Sequence, residues 1–524
     1  MGRRQARRVR WRGAWRADCT VRFCRRFGRG CCGSLECRGQ GGSHRLRTLP
    51  SRCDRHWTRG RYATLMRVRR EVAAVALLVT GALLLQGFAV ARHGLLMGDF
   101  RAFFCGAQAA AHGQNPYLSA ALAACESVPE PAGLFQTAAG TVVPAPLPPY
   151  AYACFWPLVF LPFPLAAVLW FAILLGACAV CARSLVRIAS VEYADAWALL
   201  AFALVGLSVP LGEIVPLVLA ALCLAALAVE RGALAVAVAW CALAMIEPHV
   251  ALPALCALAL WRPAARVPVA MCASVLVALS VVLVGPATML SYITKVLPAH
   301  ALAELPRNTQ FSLAWIAWRL GVEDGLALRL GSLSYVVMLA LGIVVAGVLA
   351  RRWKRPAALV LLPATAVLLG GVFIHIGQMA VALPFVALAL HHARRGRWAL
   401  QLALLLLALP FQYVAQEPWA LLLAAPLCGW LIWRFVRADV LLAIRGASAL
   451  VLLDSALMFA LVEWQPVAAL QTLSVPPIDP ALPQSSWAAM IRAQAVGNGA
   501  AWLFKLPTWL ALVATLGVVV GERP

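Results

Sequence analysis

The run Leu217-Val-Leu-Ala-Ala-Leu-Cys-Leu-Ala-Ala-Leu-Ala-Val229 decides the fold class. It is unbroken by charge and shows no period-2 alternation, so it is not the strand of a transmembrane barrel, which places every second residue in a polar lumen. A second run, Leu402–Leu409, has the same character. Outward from these, hydrophobic residues make up 63% of the 524 positions and charged residues 13%, with a mean hydropathy of +0.82. No water-soluble globule hides that much apolar surface. The apolar runs are of roughly the length a helix needs to cross a ~30 Å hydrocarbon layer. The expectation is therefore an all-α integral membrane protein, a polytopic helical bundle of about 13–14 transmembrane helices. Spans are expected near 72–91, 163–183, 194–211, 213–229, 233–246, 248–261, 267–285, 329–350, 357–373, 375–393, 398–413, 418–436, 440–462 and 502–520.

The formal charge of +24 suggests nucleic acid until its location is considered. Much of it falls in Met1–Leu65, a stretch rich in Arg, without Lys, and holding Cys19, Cys24, Cys31, Cys32, Cys37 and Cys53. Lacking apolar periodicity, it reads as a disordered basic tail, a metal knuckle or an over-extended start. The cysteine gaps do not give the paired Cys-x-x-Cys spacing of a zinc site. Met66-Arg67-Val68-Arg69-Arg70 followed by the apolar run from Val72 to Val90 is how a membrane domain begins, and this places the membrane domain at 66–520. Short basic turns, at Arg183/Arg187, Glu230-Arg231, Arg262/Arg266, Arg351–Arg355, Arg394–Arg397 and Arg437–Arg445, belong on the cytoplasmic side. Long outer loops then remain near 92–160, 286–328 and 463–500.

Charged groups beside lipid are costly and call for a reason. Asp99, Glu213, Glu247, Arg307 and His375 all map to the outer ends of spans or to outer loops in this topology. Each has a plain structural account: Asp99 paired with Arg101 or Arg92, Glu213 at a helix start, His375 as a core histidine, Arg307 on lipid headgroups. Their collection on one face favours a shared site. Asp454 reads as a helix-to-helix hydrogen-bonding residue. His249 with Glu247 and His375 lacks the spacing of a metal set, so no metal or other cofactor is expected, and no phosphate loop or nucleophile elbow is present. Cys105 and Cys125 share the first outer loop, where an oxidising compartment permits pairing.

Gly98-Asp99-Phe100-Arg101-Ala102-Phe103-Phe104, then Gly113-Gln114-Asn115-Pro116-Tyr117, Pro148-Pro149-Tyr150, Trp156-Pro157-Leu158, Leu161-Pro162 and Trp170 resemble glycosyltransferase family 87. The family contains polyprenyl-phosphate-mannose-dependent mannosyltransferases with the GT-C membrane fold. Gly212-Glu213 stands where the family often has Gly-Gln, and Glu247-Pro248 where it often has Lys-Pro; the second departure removes a cation. Asn308-Thr309-Gln310-Phe311-Ser312-Leu313 and the His375 region are looser family features. The resemblance implies a GT-C-like bundle that moves a hexosyl group, mannosyl in the family, from a polyprenyl-phosphate sugar to a hydroxyl of a lipid or glycan acceptor. It places the enzyme in the inner (cytoplasmic) membrane among membrane lipids, acting on the outer, periplasmic side, with no nucleic-acid partner. By resemblance Asp99 is the general base. Arg101, Tyr117, Glu213, Glu247, His249, Arg307, Asn308 and His375 are the candidate substrate-binding residues. A lipid flippase, with polar groups at the bilayer midplane, and an O-antigen-ligase-like enzyme relying on arginines are the competing readings.

Overall fold

The computed structural model describes residues 18–23, 33–39 and 42–44, most of 72–408, then 477–495 and 505–522. The chain divides into two units, Met1–Val72 and Ala73–Pro524. In the first, β1 (Asp18–Phe23), β2 (Gly33–Gly39) and β3 (Gly42–His44) form an antiparallel sheet in the order β1-β2-β3. Asp18 lies opposite Arg38, and Cys37 opposite His44. The all-helical expectation therefore holds for the second unit, and the small sheet in the first was not foreseen.

Among the described residues of the second unit, four helices are long and apolar enough to cross a membrane. After α1 (Gly98–Ala111) and α2 (Ser119–Glu126), these are α3 (Phe163–Ala189), α4 (Tyr193–Leu211), α8 (Pro263–Glu304) and α10 (Asp324–Arg352). Between and after them lie shorter apolar helices: α5 (Val215–Glu230), α6 (Leu234–Ala244), α7 (Pro248–Trp261), α11 (Ala358–Leu369), α12 (Ile376–His392), α13 (Arg397–Ala408) and α15 (Leu506–Gly521). Two non-membrane helices complete the set, α9 (Leu313–Arg319) and α14 (Gln484–Ala495). The helical stretch Val75–Leu84 lies within the first expected span. The spans expected near 418–436 and 440–462, the turn at 437–445 and Asp454 lie outside the described residues.

Burial separates the long helices. The most apolar stretch of α4 is 94% buried and that of α8 only 6%. The outward side chains of α8 include Val267, Met271, Val275, Val282 and Leu290, and those of α10 include Leu333, Val336, Val344 and Val348. A continuous apolar surface of this kind suits hydrocarbon rather than water. The centre, by contrast, is packed by α4, α5, α11 and α12, whose residues are almost all buried.

The second outer loop begins later than expected. Instead of ending near 285, α8 runs on to Glu304 across a kink where Gly285 takes φ +79° and Pro286 follows. Proline lacks an amide donor, so it bends a helix that its flanking residues continue. The loop that remains is 305–312, followed by α9. The first loop is ordered by a disulfide between Cys105 of α1 and Cys125 of α2. Its Pro-rich end is held by tyrosines. Tyr117 donates to the Leu147 carbonyl (2.7 Å), Tyr152 to Ala145 (2.6 Å) and Tyr292 to Pro146 (3.1 Å), while Tyr150 donates to Met245 (2.8 Å). Prolines leave the backbone without donors, and phenol hydroxyls satisfy the carbonyls instead.

Candidate active site

At one end of the bundle, the starts of α1, α5, α7 and α12 meet the loop 305–312. Asp99 sits in the first turn of α1, on a helix whose N-cap, Met97, is anchored by its amide to the Pro210 carbonyl (2.8 Å). Beside it, Gly212 turns the chain from α4 to α5 with φ +77°. A Cβ there would stand 2.6 Å from that of Phe100, so only glycine lets this turn lie against α1. Trp170 donates to the Gly212 carbonyl (2.9 Å) and stacks on Phe100 at 5.3 Å. Asp99 and Glu213 are thereby brought together from residues far apart in the chain.

The opposite wall is a strand-like pairing of 309–311 with 374–376. Phe311 donates to the Ile374 carbonyl (2.6 Å), Ile376 to Thr309 (3.1 Å), and the Ile374 amide to the Gln310 side chain (3.0 Å). Buried Lys505 donates to the Gln310 carbonyl and lies 3.3 Å from the Trp315 ring centroid. This pairing fixes His375 at the N-cap of α12, where it and Gln378 form a reciprocal capping box. Its Nδ1 faces Thr309 Oγ1 (3.2 Å) and its Nε2 faces Glu304 Oε2 (3.7 Å).

Glu304 organises the cationic side. Arg307 Nη1 lies 3.1 Å from both its oxygens, Trp487 of α14 donates to it, and the Arg307 guanidinium lies 5.5 Å from the Trp487 ring centroid. Glu304 is 1% exposed, while Arg307 keeps 32% of its side chain open. A buried carboxylate so arranged holds the guanidinium in one pose and leaves its outer edge available.

The acids on the other side have no cation so closely paired, and the Ser208 hydroxyl beside Glu213 only partly offsets its burial. Asp99 and Glu213 are half-buried and Glu247 is 8% exposed. Gln378 donates to Glu247 Oε1 at 3.4 Å, yet Glu247 Oε2 and Glu213 Oε2 have no hydrogen-bond partner among the described residues. Gly377 is why Glu213 fits, since a Cβ there would meet Glu213 Oε2 at 2.3 Å. Burial pushes Asp99 up to about 6, with Glu304 adding repulsion and Arg307 opposing the rise. Burial, then the nearby charges of Asp99 and Glu247, raise Glu213 to about 8. Glu247 rises to about 7, again chiefly through desolvation. His375 is lowered to about 3 by burial and by Arg307. It is therefore a neutral imidazole at physiological pH, offering a hydrogen bond but no charge.

Asp99, Glu213, Glu247, Arg307 and His375 thus come together, with Asn308 half-buried on the same loop and His249 at the start of α7, its ring edge toward Phe373. Two expected members do not join them. Arg101 is buried, paired with Glu130, donating to the Cys125 and Val128 carbonyls (2.8 and 3.1 Å) and lying over the Phe163 ring at 4.3 Å. Two residues after Asp99 on a helix, it points to another face. Tyr117 is 2% exposed, its hydroxyl spent on Leu147 and its ring stacked on Tyr292 at 5.0 Å. Conversely, Glu304, Gln378, His300 and Trp487 belong to the site and were missed. Glu304 was within reach, because an acid three residues before Arg307 on a helix end is a ready partner. Nothing local signalled Trp487. Among the described residues no group of three His, Cys, Asp or Glu side chains is set to hold a metal ion.

Residues 147–375 match the model of glycosyltransferase family 87. This stretch is similar to a family 87 glycosyltransferase domain. The match takes in Glu213, Glu247, Arg307 and His375, and Asp99 precedes it. No curated protein and no solved structure matched the chain. The match to family 87 over this stretch, with the apolar helices, supports a membrane glycosyltransferase with a sugar donor and a glycan or lipid acceptor.

Proposed function

We propose that the protein transfers a hexosyl group from a polyprenyl-phosphate sugar to an acceptor hydroxyl at the outer face of the cytoplasmic membrane, with Asp99 as general base. The observation that carries this reading is that Asp99 lies within electrostatic reach of an arginine already posed by a buried acid. In the transfer, Asp99 takes the acceptor hydroxyl's proton while that oxygen bonds to the anomeric carbon. The bond from the anomeric carbon to the phosphate oxygen breaks, and the lipid phosphate leaves with the electron pair. Arg307 bears on the departing oxyanion, where a guanidinium suits phosphate, and neutral His375 orients it by hydrogen bonding. A base titrating at about 6 is largely ionised at neutral pH and still basic enough to take a proton. The mannosyl identity of the sugar is what the family resemblance implies.

Membranes carrying Asp99→Asn and supplied with radiolabelled lipid-phosphate sugar provide the test. Loss of label transfer is expected, and unaltered transfer would end the proposal. Single cysteines at 213 and 375, probed with an impermeant thiol reagent on intact cells, should both label from outside. Labelling only after permeabilisation would reverse the assigned side.

A further inference from the structure

This cluster has more acid than its substrate as so far described needs. Asp99, Glu213, Glu247 and Glu304 lie near one another, and Arg307 is the cation whose charge reaches Asp99, Glu213 and Glu304 among the described residues. That arginine is already engaged by Glu304. Glu213 and Glu247 each keep one buried oxygen without a partner. His300, 7% exposed, lies beside Glu304 and Arg307 with both ring nitrogens likewise unpartnered among the described residues. Buried polar atoms are satisfied in the great majority of native sites, so a set of orphans around one space points to a missing polar ligand.

Charge selects among ligands. An ammonium supplies three donors and a positive charge together and so lets these buried acids ionise, whereas a neutral hexose leaves them protonated and makes no use of their charge. Position selects as well. Glu213 is within electrostatic reach of both Asp99 and Arg307, the two groups that the proposed reaction sets on either side of the anomeric carbon. It therefore flanks the sugar being transferred rather than the lipid or the far end of the acceptor.

Resting on the polyprenyl-phosphate reading above, we propose that Glu213 and Glu247 form a subsite for a protonated amine on the donor sugar, making the donor a polyprenyl-phosphate amino sugar. The test is isothermal titration of the purified full-length protein with short-chain prenyl phosphates carrying a 2-amino-hexose, a 4-amino-hexose, their N-acetyl forms or glucose, and with bare prenyl phosphate. One amino form should bind at least about tenfold more tightly than both its N-acetyl form and the glucose form, about one decade of affinity. The N-acetyl comparison separates charge from size. In the Glu213→Gln/Glu247→Gln variant this ratio should fall toward one. Equal or tighter binding of the neutral forms in the wild-type protein overturns the inference without any variant, and so does an amine preference that survives in the glutamine pair. If bare prenyl phosphate binds while the sugars do not differ, only the amine subsite is lost. If none of the probes binds, the lipid-phosphate donor reading falls and takes the subsite with it.

Discussion

The two ends of the helical unit treat charge in opposite ways. Where α5 ends, Glu230 accepts from Arg355 Nε (3.0 Å) and from the Ala357 amide (3.1 Å). The same arginine donates to the Ile188 carbonyl (2.7 Å) and faces His392 Nε2 (3.1 Å). Nearby, Glu522 pairs with Arg352 (3.2 Å) and accepts from the Arg394 amide (2.8 Å). Glu230 and Glu522 each have a cation and a backbone donor, as expected of groups that tie helix ends together. Where α5 begins, Glu213 has a buried oxygen with no partner, beside two more acids. An ion network built for stability closes its hydrogen bonds within the protein, and one built for a ligand leaves some open. On the proposed reading, the difference marks the end that does chemistry.

The sharpest way to break this comparison is at the open end. Asp99→Asn keeps the shape and removes the base, so transfer should drop by about 1,000-fold, within the range for a lost general base, chiefly in kcat. Arg307→Ala should cost about 100-fold in kcat/KM, the scale of a charge-assisted hydrogen bond. Glu304→Gln retains Arg307 but loosens its pose. It should raise KM by about tenfold with a smaller change in kcat, as for a weakened binding contact of about 1.4 kcal/mol. A drop confined to kcat would instead assign Glu304 a part in the chemical step.

How much of this was legible beforehand differs between the two ends. The basic turns at 351–355 and 394–397 were readable because charge on a lipid-bounded chain collects at helix ends, although their acidic partners Glu230 and Glu522 took structure to reveal. At the open end the acids, Arg307 and His375 stood out for the same reason. Arg101 and Tyr117 lie apart from the cluster because a motif's neighbours in sequence need not share one face. The merging of α8 across Pro286 escaped notice because a proline kinks an apolar helix as often as it marks a loop. With that stretch read as loop, the three-residue spacing of Glu304 and Arg307 went unused; the pairing of 309–311 with 374–376 carries Gln378 to the site, and Trp487 reaches Glu304 by its side chain from a helix far along the chain.

Acidity gives a smaller and more graded test. Because Asp99 is raised to about 6 and acts ionised, kcat/KM should fall about tenfold per pH unit below that value, provided the protein stays folded. Stability should run the other way. Asp99, Glu213 and Glu247 titrate higher in the native protein, at about 6, 8 and 7, than in the unfolded chain, so the folded state holds more protons between about pH 4 and 8. Their contribution is therefore present at low pH and is lost as pH rises through those values. The thermal midpoint of the wild-type protein should decline across this window relative to Glu213→Gln/Glu247→Gln. A midpoint whose pH dependence is unchanged in the variant would mean that these acids are not held protonated by burial.

At the closed end the expected effect on catalysis is nil, and that is what makes it informative. Glu230→Gln deletes the charge opposite Arg355 while keeping a carbonyl oxygen for the Ala357 amide. Both side chains of the pair are about a fifth exposed, so the loss should be about 1–2 kcal/mol of stability, as for one charged hydrogen bond with some screening by water. The transfer rate at saturating donor, measured below the melting range, should stay within about twofold of wild type, since an effect on ΔG‡ below 0.4 kcal/mol is about that size. A large fall in rate with the melting midpoint intact would show that the Glu230 end communicates with the cleft along α5, and the division between a closing end and a working end would have to be redrawn.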